Sequence, residues 1–247
     1  LFMMLQYGLA SLGLWSLPTF FPDMTAGQMY FGFSAVNLAA LGLIRLLPND
    51  AANDAGVAVR DSEWHLLLSL PALGCLAALF FFEGSNVGTD AFIERIAVFG
   101  GYSDREIGAA LGVASLCGVP GAFAVFFVGS KFGHRAPVIA GTVVGAVSLT
   151  GLMQANSYVG FFLWTCVHSM SWAFTTPYIQ SLRARLDPGG AVVTAGGIAS
   201  GAGGGVGPAV MAVMVTSEQY QSVLWVGLAA YGLAAVAIST SVLRQAK

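Results

Sequence analysis

The sequence predicts an all-α integral membrane protein. Three observations carry that prediction: a composition too apolar for a soluble surface, a succession of apolar segments about 20 residues long, and basic residues gathered on one side of the alternating connections. Of the 247 residues, 56% are hydrophobic and 9% charged. A soluble domain carries about 25% charged residues, so this chain has too few polar groups to cover a core of its own size. Backbone groups in lipid must be bonded within their own segment, which makes apolar stretches of this length helices rather than open strands.

Eight such segments follow one another, at about 1–22, 26–47, 65–98, 104–129, 136–154, 158–182, 190–215 and 219–243. Pro22-Asp23 ends the first. A polar stretch from Leu47 to Glu63, with Pro48, Asn49, Asp50, Asn53, Asp54 and Asp61, separates the first two from the other six and reads as a linker between two helical bundles. The third segment is long for one span and must tilt, kink near Gly84 or Gly88, or project from the bilayer. Ser103 and Glu106 have capping-box spacing at the start of the fourth, and Pro137 suits the first turn of the fifth. Pro177 is placed to kink the sixth. Asp187-Pro188-Gly189-Gly190 breaks the chain before the seventh. The chain opens at Leu1, already inside an apolar run with no charged region before it, and reads as an N-terminally truncated piece of a longer polypeptide.

The basic residues orient these segments. Arg45, Arg60, Lys131, Arg135, Arg183, Arg185, Arg244 and Lys247 fall on one side of the alternating topology, and only Arg95 and Arg105 fall towards the other. Short loops rich in Lys and Arg stay in the cytoplasm, which places the loops near 48–64, 130–136 and 183–190 and the C-terminus there. The net charge of −2, with no basic run, excludes a nucleic-acid surface. Cys75, Cys117 and Cys166 lie in separate apolar stretches without a CxxC pair, so neither a metal site nor a disulfide framework is expected. No hydrolase, haem or flavin motif appears, and the chain is not read as an enzyme or as the holder of a cofactor.

Charge within an apolar helix is costly, so it marks candidate function. Glu83, Asn86, Asp90 and Glu94 follow at spacings of three, four and four, which puts them on one helical face. That face should look into a bundle interior or a water-filled cavity. Asp90 and Glu94 lie towards the outer interface, where Glu94 can pair with Arg95 or Arg105. His168 sits in the sixth segment beside Trp164, Ser169, Ser171 and Trp172, as a proton relay or as a hydrogen-bonded helix contact. The seventh carries Gly197, Gly201 and Gly205 at GxxxG spacing, with Gly203 and Gly207 as a further pair and Pro208 after them, for close helix packing or bending. Gln6, Tyr7, Ser34 and Asn37 are weaker polar candidates in the first two segments.

The loop Gly129-Ser130-Lys131-Phe132-Gly133-His134-Arg135 resembles a degenerate copy of the cytoplasmic loop signature of the major facilitator superfamily. Lys131, Gly133 and Arg135 match; Ser130 stands where an acid is typical and Phe126 where a glycine is expected. The stretches Phe92-Ile93-Glu94-Arg95-Ile96 with Gly101-Tyr102-Ser103 and Ile107-Gly108, and Pro188-Gly189 through Gly203-Gly204-Gly205-Val206-Gly207-Pro208-Ala209, are similar to members of the same family. The resemblance covers nearly the whole chain and matches the family's last eight helices. It implies that 1–47 holds the last two helices of an N-terminal bundle, 48–64 the central cytoplasmic loop and 65–247 a six-helix C-terminal bundle. It further implies secondary transport of a small organic solute by alternating access in a bacterial inner membrane, with the solute, protons and the lipid bilayer as partners. Protonation of Glu83 is the expected coupling step. The rival expectation is a non-transporting receptor-like or scaffold protein.

Overall fold

The structure, a computed structural model, describes residues 67–186, 190–215 and 220–240, together with single positions between 24 and 38. The segment at 1–22, the linker at 48–64, the C-terminal Arg244 and Lys247, and Gln6, Tyr7 and Asn37 lie outside the described residues. So does most of the segment at 26–47, of which positions 27, 28, 31, 32, 34, 35 and 38 are helical.

Six helices and no strand make up the described residues from 67 onward: α1 (Leu70–Phe99), α2 (Asp104–Val128), α3 (Arg135–Met153), α4 (Tyr158–Leu186), α5 (Ala191–Met214) and α6 (Gln221–Thr240). All but α4 contain a stretch long and apolar enough to cross a membrane. α4 has the length, at 29 residues, but its run of Thr165, His168, Ser169, Ser171, Thr175 and Thr176 lowers its hydropathy. α1 spans 30 residues, about 45 Å at 1.5 Å per residue. It is one continuous helix through Gly84 and Gly88, so its excess over a bilayer core of about 30 Å must be taken up by tilt or projection.

Local chemistry sets the ends. The Ser69 hydroxyl accepts from the Ala72 amide at 3.4 Å, with a proline in the first turn. The capping box at Ser103 is complete: the Ser103 amide donates to Glu106 at 2.8 Å, and the Glu106 amide donates back to the Ser103 hydroxyl at 3.4 Å. Pro137 lies in the first turn of α3, where its missing N–H costs nothing.

Polar side chains are buried beside an apolar core, and large apolar ones lie on the outer surface. Glu83, Ser85, Asn86, Thr89, Ser148, His168 and Ser171 are buried, while Phe126, Val213, Ile198 and Val236 are among the most exposed side chains. This is the arrangement a lipid surround demands. Most buried hydroxyls are satisfied on their own helix, as Thr142 on Val138 O, Thr165 on Phe161 O and Thr175 on Ser171 O. Two serines tie helices together: Ser85 donates to Gly227 O and Ser171 to Gly141 O, each at 2.8 Å.

The packing divides into two sets of three. α1 packs on α5 and α6, α4 packs on α2 and α3, α3 meets α6, and α1 meets α4. Exchanging α1–α3 for α4–α6 maps each of these pairings onto another or onto itself. α1–α3 and α4–α6 are consecutive triplets, and three is an odd number, so α4–α6 run in the opposite sense to α1–α3 when each helix crosses the membrane.

Glycines permit the closest approaches. A Cβ on Gly203 or Gly207 would run into the backbone of Phe80 or Gly84, and one on Gly121 into the backbone of Met170. The contact between α5 and α1 therefore uses the Gly203–Gly207 pair, not the Gly197, Gly201 and Gly205 series, around which no described atom lies within 4 Å of a Cβ. Several GxxxG registers coexist on this helix, and the complementary Gly84 and Gly88 of α1 select the one that packs. Pro208 lies inside α5, beside Gly207.

The α2–α3 connection closes one end of the bundle. Gly133 adopts φ +68° and Gly129 φ +52°, conformations that a side chain would strain. The Tyr178 hydroxyl donates to Gly129 O at 3.1 Å, tying the loop to α4. Arg183 of α4 donates to Val193 O of α5 at 3.4 Å. Lys131, Arg135, Arg183 and Arg185 thus gather at one end, as the alternating topology requires. Tyr102, Tyr158 and Phe161 pack together at the other.

His134, in this loop, is held below the ordinary imidazole value by burial first and by the Arg185 charge second. The folded chain therefore binds this proton less readily than the unfolded one, and stability falls as pH drops below the ordinary value of about 6.5. The His134 ring should titrate below a free imidazole by nuclear magnetic resonance. Arg185→Gln should move that midpoint part of the way back; an unmoved midpoint would remove Arg185 as a cause.

Candidate functional site

The polar face of α1 meets α4 and α6 in the middle of the bundle, and α3 reaches it through Ser148 against His168. Each residue reaches it for a local reason. Glu83 and Asn86 are one turn apart on α1, and Asp90 lies a further turn along. His168 and Trp172 are one turn apart on α4. Gly145 of α3 leaves room for Tyr231 and Ser171, and Gly227 of α6 for Ser85, Thr89 and Leu149, which border the polar face.

Glu83 is buried and accepts from the Trp172 indole N–H at 3.3 Å. Asn86, 2% exposed, donates from Nδ2 to Phe82 O at 2.7 Å and accepts at Oδ1 from the Tyr231 hydroxyl at 2.9 Å. Tyr231 is fully buried, with its ring 5.9 Å from Phe82 and 6.3 Å from His168 by centroid. His168 Nδ1 lies 3.2 Å from the Ser148 hydroxyl of α3, and its Nε2 lies 3.8 Å from Asp90 Oδ1. Glu83 with Trp172, and His168 with Ser148, Asp90 and, through its ring contact, the Tyr231–Asn86 pair, thus bring together seven side chains from four helices.

The structure separates the four α1 candidates into two kinds. Glu83 and Asn86 are inside the bundle. Asp90 joins them through His168 but keeps 65% of its side-chain surface open. Glu94 is exposed and stands apart from the group. The expected pairing of Glu94 with Arg95 or Arg105 does not form: at that end of α1 the side chains point into open space, where an ion pair gains little. Lys131, Gly133 and Arg135 belong to the end of the bundle, and Gly197, Gly201, Gly205 and Pro208 to α5; neither set touches the polar group.

Sequence reasoning named neither Tyr231 nor Ser148. Each is a hydroxyl in a long apolar run, Leu228-Ala229-Ala230-Tyr231-Gly232 and Gly145-Ala146-Val147-Ser148-Leu149. A tyrosine at the centre of a spanning helix needs a partner for its hydroxyl, and that requirement was the available signal.

An apolar cavity of about 220 Å³ lies elsewhere, between α1, α5 and α6, lined by Phe80, Gly84, Gly207, Met211, Val226 and Leu233 among others. It offers carbon and little else, so it holds nothing to recognise a polar solute. The polar group is the place where chemistry can occur: it combines two carboxylates and an imidazole with hydrogen-bonding groups that fix their geometry.

Comparison with protein-family models and with curated proteins finds no match for this chain.

Proposed function

We propose that the chain is the larger part of a secondary transporter for a small organic solute, working by alternating access and coupled to protons. The observation that carries this reading is the buried polar group between α1, α3, α4 and α6, at the junction of two three-helix sets. Sites at the interface of inverted repeats, near the middle of the membrane, are what such carriers use. A scaffold has no need of a carboxylate, an imidazole and an amide collected inside apolar helices, where polar groups are costly.

On this reading Glu83 and Asn86 face the pathway, and Glu83 exchanges charge for a proton during the cycle. The resemblance of Lys131, Gly133 and Arg135 to a cytoplasmic loop signature supports membership of the major facilitator superfamily, with α1–α6 as its C-terminal bundle. The basic end of the bundle and the C-terminus lie in the cytoplasm by the positive-inside rule, and the membrane is a bacterial inner membrane.

The test is a solute screen under an imposed pH gradient, in proteoliposomes containing the native polypeptide. Flux of a solute that depends on the gradient is expected, with the dependence lost in Glu83→Gln. Gradient-dependent flux that survives unchanged in the variant would remove Glu83 as the coupling group. Absence of any flux from folded protein would leave the receptor-like or scaffold reading in its place.

A further inference from the structure

We propose that Asp90 and His168 form a binding site for a single proton, with Ser148 deciding which ring nitrogen receives it. The argument is an accounting of hydrogens. Ser148 has one hydroxyl proton and donates it to Gly145 O at 2.6 Å. The same oxygen lies 3.2 Å from His168 Nδ1, and with its proton committed it can only accept there. His168 Nδ1 therefore carries the ring proton in the neutral imidazole. Nε2 is then a bare lone pair. It is buried without a hydrogen-bond partner, on a side chain that is 3% exposed, and it faces Asp90 Oδ1 at 3.8 Å.

Two lone pairs that face each other, one on a buried ring and one on a carboxylate at the open edge of the bundle, are a vacancy for one proton. Empty, the pair is a neutral imidazole beside a carboxylate, with a net charge of −1. One proton taken up from water forms Nε2–H, which donates to Asp90 Oδ1, and the net charge becomes zero. No other bond is made or broken. The present separation exceeds an N–H···O bond of about 2.7–3.2 Å, so uptake draws Asp90 towards α4. Asp90, with most of its side-chain surface open, has the room to move and the access to exchange protons.

The other titratable groups within electrostatic reach are Tyr231 of α6 and Glu83, two turns back on α1. Tyr231 is engaged with Asn86 and Glu83 with Trp172. α3 presents the neutral Ser148 and Gly145. The pair stands on this geometry, and its test needs no transport, so it can fail or hold independently of the function proposed above.

The chain has three histidines, His65, His134 and His168. In the full chain, labelled with ¹⁵N-histidine in lipid nanodiscs, His65→Gln with His134→Gln leaves the His168 signals alone. At alkaline pH the ring should be the Nδ1–H tautomer, and on acidification Nε2 should gain the proton. Ser148→Ala removes the acceptor, so the tautomer should switch to Nε2–H, facing Asp90. Asp90→Asn should keep the Nδ1–H tautomer and move the midpoint of protonation by about one pH unit or more, the usual effect of removing a charge at this range. Asp90 is open enough for this change to be accommodated. An Nε2–H tautomer in the otherwise unaltered chain overturns the proposal, and that reading needs no variant within the site. A midpoint that stays in place in folded Asp90→Asn overturns it equally.

Discussion

Gly207→Ala is expected to destabilise the bundle by about 1–3 kcal/mol, the usual cost of overpacking a close contact. The added Cβ would stand 2.7 Å from the carbonyl carbon and Cα of Gly84, with the carbonyl oxygen closer still. These are backbone atoms, so no rotamer change relieves the collision, and α1 and α5 must separate. Because the two helices share their longest contact in the bundle, the separation is felt along both. The control is Gly201→Ala in the same helix. It has no described atom within 4 Å of its Cβ, and alanine favours a helix over glycine by about 0.5–1 kcal/mol, so stability should hold or rise. Thermal unfolding of both variants in one detergent decides the matter. Equal losses at the two positions would mean that α5 docks through a face other than the Gly203–Gly207 one.

Tyr231→Ala is expected to cost more, about 3–5 kcal/mol, as does truncation of a large buried ring. Tyr231 is the largest of the fully buried side chains. It fills the space between Phe82 of α1, His168 of α4 and Gly145 of α3, where a Cβ would come within 2.6 Å of the tyrosine ring. Tyr231→Phe separates the two contributions. It keeps the ring and removes only the hydroxyl, leaving Asn86 Oδ1 without its donor. Hydrogen bonds between membrane helices are worth about 0.6–2 kcal/mol, so the phenylalanine variant should lose that much and the alanine variant the rest. Denaturation midpoints of the three proteins measure both steps. A phenylalanine loss equal to the alanine loss would mean that the hydrogen bond, not the packing, holds α6 in place.

The ends of α2 and α3 were legible residue by residue. Ser103 with Glu106 and Pro137 act through their own backbone neighbours, so their effect is encoded within four residues of chain. The same holds for the one-sided stripe of Glu83, Asn86 and Asp90, because a helix converts spacing into a common face. What that stripe touches was not legible. Ser148 and Tyr231 lie 62 and 145 positions from Asn86, and no local rule connects them.

The glycines of α5 show the boundary most sharply. Sequence spacing offers Gly197–Gly201, Gly201–Gly205 and Gly203–Gly207 on equal terms, since each permits close approach. The choice among them rests on Gly84 and Gly88, more than 100 positions away. Composition, helix positions and the gathering of basic residues at one end follow from the chain itself, because hydropathy, caps and charge act locally or in sum. Which glycine pair packs, which carboxylate is buried and which nitrogen of His168 is bare were decided by tertiary structure, because each depends on the one atom of another helix that comes to lie opposite.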